Sequence, residues 1–311
     1  MTNLNNQPAP STPGPPLTIS ARLAQLSRRL GLDLLLSQGA SGNTAVKQSG
    51  RMVIKATRTR LIDMTESTGW VEVDLARLHR DFETLWAGAA ASENYLAALD
   101  ASGPPGGRPS LETGLHALLP HPWTAHVHSL AGQILGRRPE EEIFARTSFL
   151  NGVAVRVIPA VPPGVALTAA VRDALQERPL TGDRCLLILR HHGLVWGGPS
   201  DTAVGEMSDA FEAEFRKAFR LSDFPPPESS ATPPLANGWH RILFEGWPRS
   251  NLTETPNFFE FAEHFHPGEN LRVVSPREAH VRALDPAELE THRQVLFAQA
   301  LLGAQGTPGT P

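Results

Sequence analysis

"TAHVHSLAG", residues 124–132, places His126 and His128 one residue apart in an otherwise apolar stretch. The run reads as a strand passing into a helix. On a strand, residues i and i+2 share a face, so both imidazoles project together while Ala125 and Val127 face the opposite layer. On a helix the same spacing would splay them by about 200°. A His-x-His pair on a strand can therefore close on one divalent ion through neutral imidazole nitrogens. The plain alternative is two polar residues on a solvated strand face. A metal also needs ligands from elsewhere in the chain.

Two segments offer them. "LRHHGLVWGG" (189–198) is an apolar strand ending in His191, His192 and Gly193. The glycine lets the chain turn sharply beside the preceding side chain. Periodicity does not choose between His191 and His192. In "RPSLETGLHALLP" (108–120), Ser110 reads as an N-cap and Glu112 as a residue of the first helical turn. A carboxylate there complements the helix dipole. Facing a metal, it becomes a ligand or a general acid/base. His116, four residues on and on the same helical face, reads first as a packing or polar contact.

Strands and helices alternate through residues 20–221, which predicts one α/β domain. Ser20 is expected to cap "ARLAQLSRRLGLDLLL", where Leu23, Leu26, Leu30 and Leu34 fall at helical spacing. "QGASGNTAVK" (38–47) is a turn entering a strand, and "RMVIKAT" (51–57) and "WVEVDL" (70–75) are strands. "ENYLAALDA" (93–101) is a helix, "VAVRVIPA" (153–160) and "CLLILRHHGLVWG" (185–197) are strands, and residues 200–221 form a long amphipathic helix. The expected boundaries are a disordered tail at 1–17, a domain at 18–222, and a Pro-rich linker at 223–238. A C-terminal appendage at 239–303, ending in a helix, precedes a frayed tail at 304–311.

Composition narrows the class. The chain has 311 residues, 41% hydrophobic and 19% charged, enough to build a core. A net charge of −4 gives no electrostatic case for nucleic acid or an anionic membrane. No apolar run reaches the roughly 18 residues of a membrane span. The N-terminus lacks a basic region followed by an apolar one, so a cytoplasmic protein is expected. The single cysteine, Cys185, excludes an intrachain disulfide and reads as a core thiol. Only Lys47, Lys55 and Lys217 are available for Schiff-base chemistry.

Taken together, these segments resemble the class II aldolase/adducin family. "GASGNTAVK" looks like its glycine-asparagine phosphate turn, and "SLETGLHALLP" like its catalytic glutamate segment. "AHVHS" looks like its His-x-His, and "LLILRHHGLVWGG" like its His-Gly strand. The order and spacing match over roughly residues 20–221, and the flavour is that of aldolase halves of bifunctional aldolase/dehydrogenases. The resemblance implies a layered α/β/α fold with a central, mainly antiparallel sheet. It also implies a ring-like homotetramer with sites at subunit interfaces. By resemblance, His126, His128 and His192 hold Zn2+ or another divalent metal, and Glu112 is the acid/base. Gly42, Asn43, Thr44 and Ser110 cradle a phosphate or carboxylate, since amides in such a turn suit an anion.

Two departures bear on the substrate. Similar branches carry Lys-Ala-Ser-Gly in a second anion loop, where "VIKATRTRL" (53–61) has Thr57 and Arg58. Arg58 adds a charge and a fork of donors but removes the glycine's close backbone approach. Lys55 is either a helper there or a solvated side chain. The only tyrosine is Tyr95, so no C-terminal tyrosine can donate a proton. The appendage holds another His-x-His, His264 and His266, read as surface residues. The implied function is a zinc-dependent lyase of carbohydrate metabolism. It would cleave a small phosphorylated or carboxylated hydroxy-carbonyl compound by retro-aldol reaction through a zinc-stabilised enediolate. Alternatives on the same site are an epimerase, dehydratase or decarboxylase. An adducin-like binding module without catalysis would show eroded ligands, and a lysine-based aldolase would resist chelation.

Overall fold

The computed structural model describes residues 17–84, 91–104, 107–219 and 221, together with the short strands Val274–Ser275 and Glu278–Val281. The linker, the terminal helix, both tails and the pair His264 and His266 lie outside the described residues.

The strand carrying His126 is β4 in chain order (Trp123–Val127), and it is the middle strand of a seven-stranded sheet. On one side stand β1 (Asn43–Gln48), β2 (Arg51–Lys55) and β3 (Trp70–Asp74). On the other stand β7 (Gly193–Gly198), β6 (Cys185–Leu189) and β5 (Ala154–Ile158). Every pairing is antiparallel except β5 with β6. The sheet is thus mainly antiparallel, as the resemblance implies.

Burial of β4 on both faces follows from helices on both sides. Trp123, Ala125 and Val127 pack into the larger core with α1 (Ile19–Gly31), α5 (Leu130–Leu135) and α8 (Asp201–Phe219). Leu23, Leu26 and Leu30 are the buried stripe of α1, and Phe211 and Phe215 that of α8. Each such side chain contributes about 1.5–3 kcal/mol on burial. While α6 (Glu140–Thr147), beside β5, sends Ile143 into that same larger core, the opposite layer holds α2 (Leu75–Thr84), α3 (Ala91–Ser102), α4 (Thr113–Leu118) and α7 (Val165–Glu177). Their cores gather Met52, Ile54 and Tyr95 in one cluster and Leu115, Val171 and Leu187 in another. No helix among the described residues is long and apolar enough to cross a membrane.

Three local expectations change. Thr18, not Ser20, caps α1: its hydroxyl accepts from the Ala21 amide at 3.2 Å. "CLLILRHHGLVWG" is a hairpin rather than one strand, because the backbone reverses at His191, whose φ is 58°. The His192 amide closes that turn on the Leu189 carbonyl at 3.1 Å. Gly193 does not make the turn. It is a glycine because a Cβ there would strike the Val127 carbonyl of β4. Gly193→Ala should therefore push β7 from β4 and cost about 1–3 kcal/mol, read as a lower urea midpoint. An unchanged midpoint would show that the two strands give way freely.

Candidate metal centre

Glu112, His126, His128 and His192 converge, with one potential ligand atom from each all within 4.8 Å of one another. His126 is fully buried on β4, opposite Asn43 on one side and Val195 on the other. His128 follows the strand's last residue, and the β6–β7 turn presents His192 beside it. The three rings pack edge to face, with centroids 4.9–5.0 Å apart. The tertiary structure thus chooses His192; His191 is not in the cluster. The turn that aims His192 is anchored by Arg190, which donates to the carbonyls of Gly136 and Arg138 at 2.8 and 3.0 Å.

The tautomer of His126 is set by its strand neighbour. Its Nδ1 donates to the Leu194 carbonyl at 2.9 Å, which leaves Nε2 as a lone pair pointing into the cluster. That nitrogen is buried without a hydrogen-bond partner, as is Oε1 of Glu112. The carboxylate lies 3.4 Å from His126 Nε2 and 3.1 Å from His192 Nε2. Burial lowers the pKa of His126 and His128, so both rings are neutral. Burial pushes the Glu112 carboxyl up, but the positive charge of the surrounding imidazoles when they are protonated outweighs this and holds it well below its ordinary range. Three imidazoles and a carboxylate, with two orphaned buried ligand atoms among them, form a set that a divalent cation would satisfy.

Glu112 stands one residue before α4 rather than in its first turn, and its side chain makes no capping bond. A polar relay aims it instead. Asn43 Nδ2 donates to Glu112 Oε2 at 2.8 Å and to Ser110 Oγ at 3.1 Å. His116 Nε2 bonds Asn43 Oδ1, and His116 Nδ1 meets Thr124 Oγ1 at 2.7 Å. Since Asn43 accepts through Oδ1, His116 must carry its proton on Nε2, and the amide cannot flip. Tyr95 clamps the main chain around Glu112. Its hydroxyl donates to the Leu111 carbonyl at 2.8 Å and accepts from the Gly114 amide at 3.2 Å. Burial pushes that phenol up to about 12, so it stays a donor. Neither Tyr95 nor the relay could be found by spacing, because both act across distant elements.

His116 yields a pH prediction. Burial first, then positive charge on His126 once that ring is protonated in acid and on Lys47, lower its pKa to about 3. The unfolded chain, with histidine near 6.5, binds more protons below that pH than the fold does. Stability should thus fall as pH drops from about 6.5 toward 3. Urea midpoints measured across that window should decline; a flat profile would mean His116 is not held neutral.

The remaining expected site residues divide. A cavity of about 240 Å³ is lined by Gly42, Asn43, Lys55, Thr57, Arg58 and Ser110, and also by Glu112, His128 and His192. Gly42 has φ 72°, and a Cβ there would sit 2.8 Å from the His126 carbonyl. Thr44 does not reach the cavity: its hydroxyl bonds Ser27 of α1 on the other face of β1. Lys55 is buried, not solvated. Its ammonium donates to the carbonyls of Ala40 and Thr59 at 3.0 and 2.6 Å, and burial lowers its pKa to about 8. Lys47 binds carbonyls at the end of α4 and does not line the cavity. Cys185 is fully buried, with its thiol pushed up to about 12 by burial. A larger cavity of about 660 Å³ beside β5 is lined by no histidine or carboxylate.

The sequence pattern of the class II aldolase and adducin N-terminal domain matches residues 21–213, and the chain belongs to that family. Among solved structures, the N-terminal class II aldolase domain of a conserved protein from Thermoplasma acidophilum is similar. It is 21% identical with a TM-score of 0.55, covering 70% of this chain and all of that one. L-fuculose-1-phosphate aldolase from Thermus thermophilus is 20% identical over 64% of this chain and 95% of its own, with a TM-score of 0.41. YgbL from Klebsiella pneumoniae is 19% identical over 67% and 91%, with a TM-score of 0.47. Among curated proteins, none matches the chain.

Proposed function

We propose that this chain is a metal-dependent lyase that cleaves a small anionic hydroxy-carbonyl compound by retro-aldol reaction. The observation that carries the reading is the convergence of three imidazoles and one carboxylate within 4.8 Å, with His126 Nε2 and Glu112 Oε1 lacking other partners. His126, His128 and His192 would hold the cation, zinc by preference for nitrogen ligands. When bound, it supplies positive charge to polarise a carbonyl oxygen.

The chain's own residues do the proton work. In retro-aldol cleavage a hydroxyl loses its proton, the adjacent C–C bond breaks, and the electron pair moves into the carbonyl of the other fragment. Glu112, held ionised, is suited to take that proton and return it to the carbon released. One carboxylate serves both steps, which suits a chain whose only tyrosine is buried against Leu111 and Gly114. The Asn43 relay keeps Oε2 fixed beside His126 while Oε1 faces His192. Gly42, Lys55, Thr57, Arg58 and Ser110 shape the end of the cavity that receives the anion, with Thr44 left out. Assembly as a homotetramer in the cytoplasm belongs to the same proposal. The intact ligand set disfavours a non-catalytic adducin-like module.

The test is aldehyde release from a panel of phosphorylated and carboxylated hydroxy-carbonyl compounds, before and after chelation. Release that stops on chelation and returns with zinc is expected. Turnover indifferent to chelation would overturn the reading, as would epimerised or decarboxylated products without cleavage.

A further inference from the structure

Two of the three clustered imidazoles are aimed by their surroundings. His126 bonds the Leu194 carbonyl, and His192 sits on the turn that Arg190 anchors. His128 is different. Its ring takes part in no hydrogen bond among the described residues and packs edge to face against the other two. A metal-ligating histidine commonly has its second ring nitrogen fixed by a carboxylate or a carbonyl. Without such a partner, the direction of the His128 ring follows from the backbone that carries it, the turn from β4 into α5.

That turn is fastened at each of its three residues. Gln133 Nε2 donates to the His128 carbonyl at 3.0 Å, and the Leu130 amide donates to the Leu35 carbonyl at 2.9 Å. Between them, Ser129 Oγ accepts from the Gly132 amide at 2.9 Å and donates to Glu212 Oε1. Ser129 is wholly buried, and Glu212, in α8, is 5% exposed. Arg216 Nε donates to Glu212 Oε2 at 2.7 Å, and another nitrogen of the same guanidinium donates to Asp33 Oδ2. Asp33 Oδ1 in turn accepts from the Leu35 amide at 3.0 Å. The bonds close a circuit that locks α8, the loop after α1 and the β4–α5 turn together, with His128 beside the joint. A carboxylate buried this deeply adds little stability over an apolar side chain of like volume. What it supplies is direction, because it fixes where Ser129 must sit.

We propose that Glu212 is a positioning residue for the metal centre: acting through Ser129, it sets the direction of the His128 imidazole. Glu212 is not itself among the clustered ligand atoms. This rests on the reading of the cluster as a metal site.

The test is a Co2+ titration of the metal-free full chain, with the visible spectrum of the bound ion and a melting curve on each sample. Glu212→Leu keeps the volume and removes the link. Glu212→Asp keeps the charge beside Arg216 but falls one carbon short of Ser129. Ser129→Ala cuts the link from the other end. Glu212→Gln can still donate to Ser129 Oγ and accept from Arg216. The first three should each weaken Co2+ binding by about 10–100-fold and alter the ligand-field bands. Glu212→Gln should restore the parent's affinity and bands. Ser129→Ala combined with Glu212→Asp should be no weaker than the weaker single variant, since both break one link.

Lower melting temperatures with unchanged affinity and bands would make the circuit a structural tie and overturn the proposal. So would losses that add in the double variant, or a Glu212→Gln as weak as Glu212→Asp. If Glu212→Leu does not fold, Glu212→Asp decides by the same criteria. A parent chain that takes up no metal sinks the proposed lyase. The His128 ring is then read by NMR in that metal-free chain, labelled on histidine, its signals assigned by their loss in His128→Asn. Signals moved by Glu212→Asp and restored in Glu212→Gln support the positioning role; signals that stay in place overturn it.

Discussion

His128→Ala should lower metal affinity by roughly 100-fold or more, so that protein purified without added metal carries almost none. Even residues that only orient metal ligands are worth about 10–100-fold in affinity, and a ligand is worth more. His128 is the better first substitution because it lies just past the end of β4. His126→Ala should have the same effect, but it also removes the partner of the Leu194 carbonyl in the middle of the sheet. An additional loss of about 1 kcal/mol of stability is expected for that variant. Elemental analysis with a melting curve on each separates the two effects. About one zinc per parent chain, with little in either variant, is the expected result. Equal metal in parent and variants would remove these residues from the ligand set, whatever the activity.

Glu112→Gln should abolish turnover while leaving metal and fold in place. A positioned general acid/base contributes about 10²–10⁴ in rate, so kcat should drop by that factor. The amide keeps the shape of the carboxylate, and its oxygen can still accept from Asn43 Nδ2. Glu112 makes no capping bond to α4, so the helix should not suffer. The melting temperature should therefore stay close to the parent's. The opposite pattern, lowered stability with activity kept, would assign Glu112 to structure. Loss of metal together with loss of turnover would make it a ligand first and a proton carrier second.

Much of this was legible because it rests on short-range periodicity. The alternation in "TAHVHSLA" places His126 and His128 on one face and sends Ala125 and Val127 into the core between α1, α5 and α8. The leucines of α1 and the buried run around Cys185 announce themselves in the same way. Family resemblance then ordered the segments, and the mainly antiparallel sheet bears it out. Of the missed helices, α6 and α7 have packing faces set by the sheet beneath them rather than by strong repeats of their own, whereas α2 carries a plain helical repeat in Leu75, Leu78 and Phe82 that was there to be read.

What only the tertiary structure decided involves partners far apart in the chain. His192 rather than His191 enters the cluster because the left-handed turn at His191 rotates its neighbour inward. Asn43 aims its amide at Glu112, 69 residues away, because His116 holds the other end of that amide. Lys55 is a tie between two loops because burial leaves its charge only main-chain carbonyls to bind. Arg58 is left unpaired among the described residues, while carbonyls of its own loop are taken by the Thr59 amide and by Lys55. A side chain's identity and period are local properties, and sequence carries them. The direction of a hydrogen bond and the absence of a competing partner depend on which strands become neighbours, and that is settled only when the sheet closes.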